Sequence, residues 1–261
     1  MTSPSLLPAR LSGTASRWVR DQLAGPDREA RAVHVGADAV YLDLGGSCLG
    51  VLSTHATAVP CGIRTLLPRL TPPVSPGDTL VVGSGRITWG RAEVRVGRVV
   101  DYAVPHLDAA TARWARRRLA PPVLDELPAE ALELLRAGDP AAVPALLGLG
   151  SGLTPVGDDV LAAWLAAMAA AGHDGRHPVA ETVQRLAPTR TTLLSATLLD
   201  CATRGDVLPE YAALVAALCR RDRRPAHERL TAVGHTSGTG MLLGLTLALD
   251  EIALSTARRS A

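Results

Sequence analysis

Two glycine-rich segments, each running directly into an apolar stretch, hold most of the residues that could do chemistry. The first, Gly148-Leu149-Gly150-Ser151-Gly152-Leu153-Thr154-Pro155-Val156-Gly157-Asp158-Asp159, has four glycines in its first ten residues. Such a density excludes regular helix and leaves main-chain amides free to face an anion, as a helix N-terminus does. Gly150, Gly152 and Thr154 are therefore candidate binding positions. Asp158 and Asp159 follow at the helix start, where one carboxylate suits a cap and complements the helix dipole. Two adjacent carboxylates repel, so the second needs a cation, an arginine or a ligand N–H; a magnesium ion held by Asp158 and Asp159, or an amide-bearing ligand, would satisfy it.

The second segment, Gly234-His235-Thr236-Ser237-Gly238-Thr239-Gly240, offers hydroxyls, open amides and an imidazole that can carry protons near neutral pH. Thr236 and Ser237 are candidate ligand contacts and His235 a candidate proton carrier; a helix-capping turn with a structurally bonded histidine is the alternative. Between the two lies Thr189-Arg190-Thr191-Thr192, then Ser195. Thr191 and Ser195 are four apart and are expected on one helix face, and Arg190 supplies a fork for carboxylate or phosphate. Surface polarity is the alternative for this cluster.

Composition removes several mechanisms. The chain contains no Lys, so all 27 basic residues are Arg, and no Schiff-base or phosphate-loop lysine exists. A net charge of +2 and an aromatic content of 3% with no Phe argue against a nucleic-acid partner. The run Arg116 to Arg118 is expected as a solvated helix face. Cys48, Cys61, Cys201 and Cys219 lack metal-ligand spacing and are expected as reduced, buried thiols. No nucleophile elbow, zinc-protease helix or strand-borne dinucleotide loop is present; Gly148-x-Gly150-x-Gly152 follows a helical pattern instead of a strand. The N-terminus lacks the charged and apolar regions of a signal peptide, and the apolar stretch Val160 to Gly172 is too short to span a bilayer. A cytoplasmic protein with no membrane partner is expected.

These residues need a scaffold, and 47% hydrophobic content allows one large core or two moderate ones. Short alternating runs at Ala32 to Val35, Ala39 to Leu44, Cys48 to Ser53, Thr79 to Val82, Arg86 to Trp89 and Glu93 to Val96 are separated by glycine turns. After Pro105 the spacing becomes helical, at Ala112 to Leu119, Ala129 to Arg136, Ala141 to Leu147, the run from Val160, Leu193 to Thr203, Val207 to Arg221 and Met241 to Leu254. The expectation is an α+β protein: a small antiparallel β domain, barrel or sandwich, over 1–105, followed by an all-helical domain over 106–261. Gly240, Gly244 and Ala248 share one face of the last helix and let another helix come close.

Taken in order, Gly148-x-Gly150-x-Gly152-Leu-Thr-Pro-x-Gly-Asp-Asp159, Thr191-Thr192-x-x-Ser195 and Gly234-His-Thr-Ser-Gly238 resemble a bacterial family that includes the AllH subunit of oxamate carbamoyltransferase. The resemblance covers roughly residues 146 to 249; Gly240 and Ala163 depart from its usual pattern of an acidic residue and a glycine. It implies carbamoyl transfer in purine (allantoin) catabolism, in which oxalurate and phosphate exchange with oxamate and carbamoyl phosphate, alongside AllG-like and FdrA-like subunits. The expected site then joins both glycine-rich starts around a small anionic substrate, carbamoyl phosphate or an oxamate-like acid, with Asp158, Asp159 and His235 catalytic. The rivals are a non-catalytic anion-binding or scaffold subunit, and a metal-dependent hydrolase built on the aspartate pair, against which stands the lack of further ligands at metal spacing.

Overall fold

The computed structural model describes residues 10–222 and 224–259, and divides the chain into two compact units, Met1–Asp101 and Tyr102–Ala261. Part of the N-terminal stretch read above as lacking a signal peptide lies outside the described residues.

The first unit is a closed eight-stranded barrel in the order β1-β5-β4-β3-β2-β6-β7-β8. Its strands are β1 (Arg10–Ala15), β2 (Arg28–Val35), β3 (Ala39–Asp43), β4 (Cys48–Leu52), β5 (Gly62–Arg64), β6 (Thr79–Gly83), β7 (Arg86–Trp89) and β8 (Ala92–Val99). The expected antiparallel domain is corrected on one point: the barrel is mixed, because β1 runs parallel to β8 and β4 parallel to β5. Side-chain alternation reports which face is buried but not the direction of the neighbouring strand. Glycine turns fix direction only between consecutive strands, whereas a parallel pair is reached by a longer connection. Between β1 and β2 lies α1 (Arg17–Leu23), whose N-cap Ser16 accepts from the Val19 amide at 3.2 Å and donates to the Pro60 carbonyl at 2.6 Å. Val40, Leu42, Val51, Ile63, Ile87 and Trp89 fill the interior, as expected for a barrel of this size.

The second unit consists of α2 (Ala109–Arg116), α3 (Ala129–Arg136), α4 (Val143–Leu146), α5 (Val156–Ala170), α6 (Arg176–Arg190), α7 (Leu193–Thr203), α8 (Pro209–Cys219), α9 (Arg224–Thr231) and α10 (Ser237–Arg259). A short 3-10 turn, Pro140–Ala142, leads into α4, and an isolated bridge joins Ala103 to Asp206. Every residue of α5 from Val156 to Met168 is buried, so this helix forms the axis of the unit. Gly172, in the left-handed region at φ +61°, follows its end.

Alongside α5 lies α10. A Cβ at Gly240 would sit 2.9 Å from Val156 Cγ2 and 3.2 Å from Asp159 Cβ, and one at Gly244 would overlap the Val160 carbonyl. The small-residue face foreseen on the last helix is thus the surface on which α5 packs. At the other end of α10, Asp250 pairs with both Arg116 and Arg136, tying the helix to α2 and α3. The segment Ser237–Leu254 is long and apolar enough to cross a bilayer, and 78% of it is buried inside the protein. The chain therefore has a longer apolar stretch than Val160 to Gly172, and its hydropathy is that of a core helix. Cys48, Cys61 and Cys201 are buried as expected, whereas Cys219 is exposed.

Candidate functional site

The α5 start is built by its own loop. Pro155 occupies the N-cap position and provides no side-chain cap, so neither Asp158 nor Asp159 is the N-cap. The Leu149 carbonyl instead takes the Gly157 amide at 2.9 Å, and the Pro155 carbonyl takes those of Asp158 (2.9 Å) and Asp159 (3.2 Å). Gly148, Gly150 and Gly152 all have positive φ. At Gly148 glycine is needed twice over, since a side chain would also overlap the Arg190 carbonyl oxygen.

Asp158 is 1% exposed and gathers three separate segments. Its Oδ1 accepts from the Gly148 amide at 2.7 Å, and its Oδ2 accepts from the Ser195 hydroxyl at 2.6 Å and from the Thr191 hydroxyl. Thr191 and Ser195 therefore meet, although not on one helix: Thr191 caps the end of α6, and Ser195 lies in the first turn of α7. Thr192, which the sequence motif included without assigning it a role, is the joint between them. Its hydroxyl caps α7 by accepting from the Ser195 amide at 3.1 Å, and donates to the Leu153 carbonyl at 2.6 Å. The legible signal was a threonine three residues before a serine at the start of an apolar run.

Asp159 is in a different state. It is 8% exposed, and its Oδ2 is buried with no hydrogen-bond partner. Burial pushes its carboxyl up to about 7; the Ser237 hydroxyl pulls the other way and the charge of Asp158 adds to the rise. Asp158 is also raised by burial, opposed by its bonds from Ser195, Thr191 and Gly148. Adjacent carboxyls thus differ in kind: one accepts from three protein donors, the other holds an open oxygen and is pushed up to about 7 by burial. A cation shared by both would compete with the three donors already on Asp158. Among the described residues, no three His, Cys, Asp or Glu side chains are arranged to hold a metal ion.

The second glycine-rich segment arrives at the same place. Ser237 Oγ lies 3.1 Å from Thr154 Oγ1, and Gly240 faces Asp159 Cβ across the α5–α10 contact. In the loop leading to Thr154, the amides of Gly150, Ser151, Gly152, Leu153 and Thr154 make no hydrogen bond among the described residues, and all of these residues but the half-buried Thr154 are exposed. Consecutive amide donors of this kind beside two hydroxyls suit an anionic or carbonyl oxygen. Thr236, half-buried, accepts the Gly240 amide at 2.8 Å through its carbonyl. Two foreseen residues are not drawn in as closely. Arg190 is exposed and its guanidinium donates to the Pro144 carbonyl at 3.3 Å, while His235 is exposed in the turn before α10.

No curated protein and no solved structure matches this chain. Residues 146–249, which contain every segment of the site, match the model of the family described as oxamate carbamoyltransferase subunit AllH, and this part of the chain resembles that family.

Proposed function

We propose that the second unit is an AllH-like subunit of a carbamoyl-transferring enzyme, and that the site around Asp159 handles a small substrate bearing both an anionic group and an amide. The observation that carries this reading is the buried, unpartnered Asp159 Oδ2, linked through the Ser237 hydroxyl to Thr154 at the end of a loop of open amides, all within the stretch that resembles the family. An ordinary structural carboxylate would be hydrogen-bonded at that depth, as Asp158 is.

In this reading the amides of residues 150–154, with Thr154, Thr236 and Ser237, receive the phosphate or carboxylate oxygens, and the loop shifts to admit the substrate to Asp159. For oxalurate and phosphate, a phosphate oxygen bonds to the carbamoyl carbon as the carbon–nitrogen bond breaks. Asp159, protonated near neutral pH, gives its proton to the departing oxamate nitrogen and recovers one from the phosphate. Asp158 is a positioning residue that holds Gly148, Thr191 and Ser195 in register. Arg190 and His235, at the exposed rim, contribute charge and proton exchange with solvent. A cytoplasmic location and the company of AllG-like and FdrA-like subunits belong to the same proposal, since the family is described as a subunit.

The test is phosphate-dependent release of oxamate from oxalurate, assayed with the chain alone and with candidate partner subunits. Asp159→Asn should reduce turnover by at least about a hundredfold with the melting behaviour of a folded protein. Full turnover by that variant in an active assembly would remove the assignment. A scaffold role is the second reading, since the family is described as a subunit. It would be supported if the assembly turns over equally well with and without the Asp159 carboxyl.

A further inference from the structure

The C-terminal ends of α2 and α8 bring two arginine runs together around one indole. The Arg118 guanidinium carbon lies 4.7 Å from the centroid of the Trp114 ring, and that of Arg221 lies 5.9 Å from the same ring. Arg113 and Arg117 precede the first of these and Arg220 the second in the chain, and all five arginines are exposed. None of the five forms an ion pair among the described residues, whereas Arg116, between them in sequence, is committed to Asp250. Asp222, exposed, follows Arg221 in the chain, and Asp108 is engaged as the N-cap of α2.

Arginine at a helix C-terminus complements the dipole, and each helix end could use one. Each guanidinium is attracted by the quadrupole of the indole, so one ring holds two like charges that would otherwise repel on the same surface.

We infer that this surface is a docking site for an acidic segment of a partner protein, independent of the glycine-loop site. Guanidinium forks match carboxylates two oxygens at a time, and clustered arginines are a recurring way of reading acidic motifs. A nucleic acid fits less well: Trp114, the aromatic of the patch, already stacks against the protein's own arginines and is not a free platform for a base.

The full chain is titrated with a fluorescein-labelled oligoglutamate peptide, followed by anisotropy at low and physiological salt, with an oligothymidine of equal charge as comparison. Binding should weaken as salt rises. The Arg118→Glu/Arg221→Glu pair should weaken it by about tenfold or more, and the Arg118→Gln/Arg221→Gln pair by less. The control pair Arg69→Glu/Arg91→Glu, exposed on the barrel unit, changes net charge equally and should leave it within about twofold. Should the charge-reversed pair fail to fold, the glutamine pair carries the test. The assignment is overturned by absence of peptide binding at low salt, by an equal loss in the control, or by tighter binding of the oligothymidine through the same arginines.

Discussion

Adjacent aspartates in one helical turn differ because of what surrounds each. Asp158 meets an amide and two hydroxyls, whereas Asp159 meets the glycine face of α10 and leaves an oxygen unbonded. Ionising Asp159 in the folded protein is unfavourable, since its carboxyl lies near 7 against an ordinary 3.8. Below the unfolded value both states are protonated and no penalty exists. Between about pH 4 and 7 the folded state binds the extra proton, so stability falls as pH rises, by up to roughly 1.4 kcal/mol per pH unit, and levels off above pH 7. Asp159→Asn lacks this titration, so its melting temperature should gain on that of the unmodified protein as pH rises from 4 to 7. Parallel melting curves across that window would contradict the buried-acid state. Ser195→Ala removes one of three donors to a carboxylate that is 1% exposed and should cost about 1–3 kcal/mol in urea unfolding. A cost near zero would mean that Asp158 does not depend on that hydroxyl.

At the scale of elements, α5 and α10 carry the site and their closeness depends on glycine. Gly244→Ala would press a methyl group into the Val160 carbonyl, while Gly152→Ala meets open space and only the strain of a positive φ. The first should therefore destabilise by about 2–4 kcal/mol and the second by about 1 kcal/mol, compared by chemical denaturation. Equal effects would show that the helices can part at no cost. The packing face of α10 could be read from Gly240, Gly244 and Ala248, because small residues at helical spacing have one geometrical consequence. The cap of α5 could not: aspartate suits that position intrinsically, but here loop carbonyls already satisfy the first amides and turn Asp158 towards α6 and α7. Likewise, a four-residue spacing put Thr191 and Ser195 on one helix, whereas a break between helices at Thr191 and Thr192 brings them together from two.

For the molecule as a whole, two compact units imply separable folding. Residues 102–261 expressed alone should give a helical circular dichroism spectrum and a cooperative melt with the same Asp159-dependent shift between pH 4 and 7. A molten spectrum would show that the helical unit relies on the barrel. Local pattern alone was enough to reveal the change from strand to helix, the glycine-rich helix starts and the polar residues worth watching. These rest on backbone conformational preference and burial periodicity, which act within a few residues. Assembly in space settled the parallel strand pairs, the different surroundings of Asp158 and Asp159, and the approach of both Arg118 and Arg221 to Trp114. Each of these depends on desolvation or contact between segments distant along the chain, and neither quantity exists until the core has closed around them.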